Sequence, residues 1–199
     1  MNDEFIINKD FNQYKQIFLE ENSKLNLISK NDEKYLFEKH IYDSLGIKLT
    51  GKLKDGQNLL DIGCGGGFPC VPIAIEYEKI NVTGSDSIRK KINAINNIKE
   101  KLNLKNLTTI CDRVENLSGK TFDIITSRAV AELKIITEYA LPLLDKNGFF
   151  IAYKSRKVAE ELKQTEPILK KYGAKIVDII EYTLPLEEKY ERNLVVIGF

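Results

Sequence analysis

The stretch Leu59-Leu60-Asp61-Ile62-Gly63-Cys64-Gly65-Gly66-Gly67-Phe68-Pro69 leaves this chain few ways to fold. An apolar run ends in an acid, turns through clustered glycines and meets Phe68-Pro69 at the head of a second apolar segment. That pattern predicts strand, loop and helix around a nucleotide. Dinucleotide sites use G-x-G-x-x-G, with a glycine where the helix packs on the strand. Gly63 and Gly65 fit, but Phe68 stands at the third glycine position. A phosphate-cradling G-x-x-x-x-G-K-[ST] is absent, because no Lys-Ser or Lys-Thr pair follows the glycines. Asp61 stands directly before the turn, where its charge is expected to face the ligand, repelling phosphate and attracting an ammonium or sulfonium. S-adenosylmethionine carries an adenosine, an amino acid and a positive sulfur but no phosphate, and it suits D-x-G-x-G-x-G. The alternative is a glycine turn with a purely structural role.

Composition narrows the class. At 199 residues, 43% hydrophobic and 30% charged, the chain suits one soluble globular unit with a full core. A formal charge of +1 gives no global attraction to nucleic acid, so any RNA contact must come from a local basic face. The three cysteines, Cys64, Cys70 and Cys111, have no C-x-x-C spacing, and His40 is the single histidine, so neither a disulfide framework nor a metal site is expected. Met1-Asn2-Asp3-Glu4 lacks the basic start of a signal peptide, and the apolar stretch from Ile62 to Ile75 is too short and too broken for a bilayer. A cytoplasmic protein without membrane contact is expected, working as a monomer.

Periodicity divides the chain into residues 1–54, an amino-terminal helical extension, and residues 55–199, an alternation of strands and helices, with a turn at Asp55-Gly56-Gln57-Asn58 between them. Phe11, Tyr14, Ile17 and Phe18 predict a helix over Asp10 to Glu21; a second starts near Asn31-Asp32, with Phe37, Ile41 and Leu45 in four-residue steps. After the glycine loop the pattern predicts a helix from Phe68 to Tyr77, strands at Ile80 to Asp86, Leu107 to Ile110, Phe122 to Thr126 and Phe149 to Lys154, and helices between them. Two closing strands, Lys175 to Leu184 and Arg192 to Phe199, break the alternation and predict an antiparallel edge hairpin. Asp86 follows the glycine turn by about twenty residues, the separation at which an acid reaches ribose hydroxyls in βαβ folds; capping the next helix is its other reading.

H-I-x-D-S-L (His40 to Leu45), D-I-G-x-G-x-G-F-P (Asp61 to Pro69), R-V-E (Arg113 to Glu115), S-R-A (Ser127 to Ala129), Y-K (Tyr153-Lys154) and E-R-x-L-V-V-I (Glu191 to Ile197) stand in this order along the chain. In these motifs it resembles the bacterial glucose-inhibited division protein B family of 16S ribosomal RNA guanine-N7 methyltransferases. The resemblance implies an α/β, Rossmann-like class I methyltransferase fold: a mainly parallel seven-stranded sheet with helices on both faces and the edge hairpin. It implies S-adenosylmethionine as cofactor, 16S rRNA or the small ribosomal subunit as partner, and cofactor contacts at Gly63, Phe68, Val114, Glu115 and Arg128; Asp86 joins them on the ribose spacing. His40, Lys154 and Arg192 are the candidates for substrate contact. Cys70 and Ser155 depart from the family pattern, which commonly has glycine at both positions.

The chemistry asks little of individual residues. Methyl transfer from a sulfonium is an in-line displacement in which positioning removes much of the barrier. Guanine N7 has a free lone pair at neutral pH, so no general base is required, and no single residue is assigned as catalytic. The Asn/Asp-Pro-Pro-aromatic motif often used on exocyclic amines is replaced by Ser127-Arg128-Ala129, and no cysteine follows Cys111 to serve as the nucleophile of pyrimidine C5 chemistry. Arg128 suits the methionine carboxylate or a target phosphate, or is a surface arginine. A lone helical histidine such as His40 is commonly a packing residue. Lys154, Arg156 and Lys157 form a basic run with two readings, phosphate contact or helix-terminal charge, whereas Arg89-Lys90-Lys91 reads as a solvated face. A small-molecule methyltransferase and a non-catalytic S-adenosylmethionine-binding protein are the alternatives from other classes.

Overall fold

The structure, a computed structural model, describes residues 5–156 and 158–199; Met1 to Glu4 and Lys157, both used in reading the sequence, lie outside them. Seven strands form one sheet in the order β3-β2-β1-β4-β5-β7-β6. They are β1 (Asn58–Ile62), β2 (Asn81–Ser85), β3 (Leu107–Ile110), β4 (Phe122–Arg128), β5 (Leu144–Ser155), β6 (Lys175–Leu184) and β7 (Tyr190–Gly198). β1 pairs in parallel with β2 on one side and β4 on the other, while β7 runs antiparallel between β5 and β6. This is the doubly wound, Rossmann-like arrangement with an edge hairpin, and its strand order reverses at β1, where such sheets open a ligand crevice at their carboxyl ends.

The central strands are apolar throughout because both faces are covered. Leu59, Val82, Ile124, Ile151 and Leu194 enter one hydrophobic cluster, and Leu60, Ile62, Ile125, Phe150 and Val195 enter the other. The first cluster lies under α1 (Asn12–Leu25), the helical segments that follow it, α4 (Cys70–Glu76) and α5 (Arg89–Lys101). The second is covered by α6 (Leu133–Ala140) and α7 (Val158–Tyr172). No helix among the described residues is long and apolar enough to cross a membrane.

The amino-terminal helices pack into the same cluster as the sheet. Tyr14 and Phe18 of α1 are buried against Phe68 of the glycine loop, with ring centroids 6.3 Å and 5.0 Å apart, so the residue that breaks the dinucleotide pattern anchors this packing. Glu20 of α1 pairs with Lys101 of α5 at 2.8 Å.

Several elements differ from the sequence reading at their ends, α1 by running on to Leu25, and three differ for a local reason. The helix after the loop begins at Cys70, with Pro69 as its cap residue, because Phe68 is turned into the aromatic cluster. β5 starts at Leu144, five residues before Phe149, since an irregularity near Phe122 lets Leu144 pair there ahead of the regular ladder. The second amino-terminal helix is split: a short α2 (Lys30–Glu33), a π-helical stretch Leu36–Tyr42, α3 (Asp43–Leu45) and a 3₁₀ turn Gly46–Thr50. Four-residue steps of apolar residues do not distinguish i→i+4 from i→i+5 bonding over so short a run, and π-helical turns frequently mark functional sites.

Candidate active site

Two cavities open side by side at the carboxyl ends of the strands, of about 430 Å³ and about 500 Å³. Gly63, Lys91 and Ala129 line both. The partition is tight: Gly63 has φ +68°, and a Cβ added to it meets the Val130 Cγ2 at 2.4 Å. Ala129 itself is left-handed, at φ +56°.

The smaller cavity holds Gly63, Asp86, Val114 and Glu115 of the predicted cofactor residues. Asp86 caps the carboxyl end of β2. Its Oδ2 accepts from the Gly65 amide at 3.0 Å and its Oδ1 from the Ile88 amide at 2.8 Å, so it fastens the glycine loop to the head of α5. Each oxygen keeps lone-pair capacity for a further donor. Asp86, Asp112 and Glu115 outnumber Lys91 and Arg113 among the charged lining residues, which favours a cationic ligand over a diphosphate.

Phe68 and Arg128, the other two cofactor candidates, line the larger cavity with His40 and Arg192. At its base lies Asp43, 1% exposed. Asp43 accepts from Arg128 Nη1 at 2.9 Å, from Arg192 Nε and Nη2 at 3.0 Å and 2.9 Å, and from the Tyr182 hydroxyl at 2.6 Å. Burial is the largest influence on this carboxyl and pushes its pKa up, but Arg128 and Arg192 outweigh it and hold the group below its ordinary value. Asp43 was absent from the predicted site. Its signal was the acid of H-I-x-D-S-L, set between the apolar positions Ile41 and Leu45.

Arg128 also donates to the Lys39 carbonyl at 3.2 Å and sits at 3.1 Å from His40 Nδ1 through its Nη2. Its guanidinium carbon stands 5.1 Å from the centre of the Phe68 ring, which tilts against the His40 ring at 5.0 Å. Burial, and then the charge of Arg128, lower the His40 pKa to about 4. As the single histidine, its ring resonances are readily assigned by NMR. They are expected to keep their neutral-form shifts well below pH 6.5 and to titrate near pH 4; a midpoint at 6.5 would show the ring to be solvated.

Asp61 does not face either cavity. It is fully buried, accepting from the Thr126 hydroxyl at 3.0 Å and the Cys70 amide at 3.1 Å. Strand pleating puts it on the same face as Leu59, so it ties β1 to β4 and to the start of α4 from beneath the loop. Burial pushes its pKa up to about 7. The folded protein therefore keeps a proton that the unfolded chain loses near pH 4, and this contribution is full below that pH and fades as pH climbs through 7. Urea midpoints are expected to fall from pH 4 to 7, and Asp61→Asn to flatten that slope; an identical slope in both proteins would contradict the assignment.

Lys154 lines neither cavity. Its ammonium bonds Glu161 at 2.7 Å and the Ala131 carbonyl at 2.8 Å, while Arg156 stands 4.0 Å from Glu191. Among the described residues, no cluster of three or more His, Cys, Asp or Glu side chains is placed to hold a metal ion.

Comparison with known proteins adds to this geometry. The family model described as "rRNA small subunit methyltransferase G" matches residues 7–194. Proteins named ribosomal RNA small subunit methyltransferase G from Staphylococcus saprophyticus and Lachnoclostridium phytofermentans are each 38% identical over 194 residues, covering 95% of this chain and 80% of theirs. Among solved structures, a SAM-dependent methyltransferase from Aquifex aeolicus shares the fold with a TM-score of 0.62 at 20% identity, over 87% of this chain and 97% of that one.

Proposed function

The chain belongs to the rRNA small subunit methyltransferase G family, and on that premise we propose that it methylates N7 of a guanine in the 530-loop region of 16S ribosomal RNA, using S-adenosylmethionine. The pair of cavities meeting at Gly63 and Ala129 carries this reading, because an in-line displacement needs donor and acceptor sites that adjoin, with nothing between the attacking nitrogen and the sulfonium methyl. In the smaller compartment, Asp86 is placed to accept from ribose hydroxyls and the Val114–Glu115 turn to flank the adenine, and the acidic excess there suits the sulfonium. When bound, S-adenosylmethionine supplies an electrophilic methyl group.

The larger compartment takes the methionine end of the cofactor along the glycine loop, at Gly63, Phe68 and Arg128, and the base beside it. Arg128 and Arg192 share a single carboxylate, which leaves one positive charge in excess for the methionine carboxylate or an RNA phosphate. His40 belongs to the same wall. Lys154 remains a candidate phosphate contact only if its bond to Glu161 opens. No proton has to be removed from N7, so the residues serve to hold and orient the base.

The test is mass mapping of 16S rRNA from cells lacking the gene, before and after incubation with the purified protein and S-adenosylmethionine. One methyl group gained on a guanine N7, on RNA or on assembled subunits, is the expected result. No gain on either substrate overturns the reading.

A further inference from the structure

His40 has one nitrogen in use and one without a partner. Arginine can only donate, so the 3.1 Å contact from Arg128 Nη2 makes His40 Nδ1 the acceptor and places the ring hydrogen on Nε2. Nε2 is buried and finds no hydrogen-bond partner in the protein. A buried donor left unpaired is costly, and such groups commonly await a ligand or serve a chemical step. The ring is held on three sides: Nδ1 by Arg128, which Asp43 fixes in turn at 2.9 Å, one face against Phe68 at 5.0 Å, and the backbone in the π-helical stretch. It lines the larger cavity, where the base is placed above.

We propose that Asp43, Arg128 and His40 form a chain that presents the Nε2 hydrogen of His40 to O6 of the target purine, selecting guanine over adenine. This rests on reading the protein as a guanine-N7 methyltransferase. Guanine shows acceptors at both N7 and O6 on this edge, whereas adenine puts an amino donor where O6 stands. A fixed N–H therefore meets an acceptor in one base and another donor in the other. Arg128 and Asp43 act here as positioning residues. Nε2 is covered in this structure, so the base reaches it as a side chain of the cavity wall moves aside. The bond engages O6 and leaves the N7 lone pair free to attack.

The experiment pairs base analogues with side-chain analogues. Ligated 16S RNA, free and assembled into subunits, carries guanine, inosine or 2-aminopurine at the target position; inosine keeps O6 and N7, and 2-aminopurine keeps N7 but lacks O6. The full-length protein is tested unaltered, as His40→Asn, whose side-chain oxygen can still accept from Arg128, and as His40→Gln, whose amide can place a donor near Nε2. For the unaltered protein, kcat/KM is expected to fall on the order of tenfold to a hundredfold from guanine or inosine to 2-aminopurine. His40→Asn is expected to lose that discrimination, and His40→Gln to keep part of it.

A purely structural histidine predicts the opposite ranking, with Asn better tolerated than Gln and undiminished analogue discrimination in both. Either that result or an unaltered protein indifferent to O6 overturns the proposal. Thermal midpoints of both variants separate loss of fold from loss of recognition, and analogue ratios measured on the folded fraction decide if either is destabilised. Failure of the unaltered protein to methylate guanine RNA in either form ends the functional reading itself, a different outcome from methylation without discrimination.

Discussion

Asp43→Ala is expected to lower the stability of the protein by about 3–5 kcal/mol, the cost of removing one partner from a buried charge network, and to abolish methylation. The carboxylate is 1% exposed and accepts every short contact that holds Arg128 and Arg192 together. The side chains of those arginines are only 11% and 15% exposed, so without Asp43 two guanidiniums face each other with little water to screen them. Tyr182 loses its acceptor as well. Asp43→Asn keeps the shape without the charge and is expected to be nearly as damaging, whereas an exposed acid such as Asp55, paired with Lys79 at the surface, is expected to be replaceable by alanine with little effect. Urea unfolding with a methylation assay checks both halves. The pH dependence has a fixed sign: because the folded-state pKa of Asp43 is depressed, its contribution is present above the ordinary carboxylate range and is lost as pH falls below it. An alanine variant as stable as the parent would mean the network is held by packing alone.

Gly63→Ala is expected to reduce S-adenosylmethionine affinity by tenfold or more while the chain stays folded. Two costs coincide at this position. A residue with a Cβ at φ +68° is in the left-handed region, which costs about 1–2 kcal/mol for an L-residue. The new methyl also meets Val130 at 2.4 Å, forcing apart the partition that both cavities share. Gly51→Ala is the control, because its φ is +61° with nothing within 4 Å of an added Cβ. It should bring the backbone cost without the clash and leave cofactor binding intact. Adding Val130→Ala to Gly63→Ala should recover part of the affinity, since it removes one of the two costs. Calorimetric titration measures each, and unchanged affinity in Gly63→Ala would remove Gly63 from the cofactor site.

The fold was legible because its determinants are local. Apolar runs bounded by turn residues marked the parallel strands, the paired closing strands at Lys175 to Leu184 and Arg192 to Phe199 marked the edge hairpin, and Asp61 to Pro69 marked the turn from the first strand to its helix. The motif series from His40 to Ile197 pointed to the family that the comparisons identify. The π-helical stretch and the early start of β5 were not legible, because bonding register and a strand irregularity depend on what the backbone packs against.

What the sequence determined by itself was thus the order of strands and helices and the closing hairpin, set by patterns a few residues long. Only the tertiary structure decided which way the charges point. The pleat of β1 sends Asp61 into the core. Asp43 meets Arg128 and Arg192 across separations of 85 and 149 residues. The hydrogen of His40 is assigned by an arginine 88 residues away. Contacts of that reach follow from strand order and close packing, which bring together residues that no short window of sequence contains.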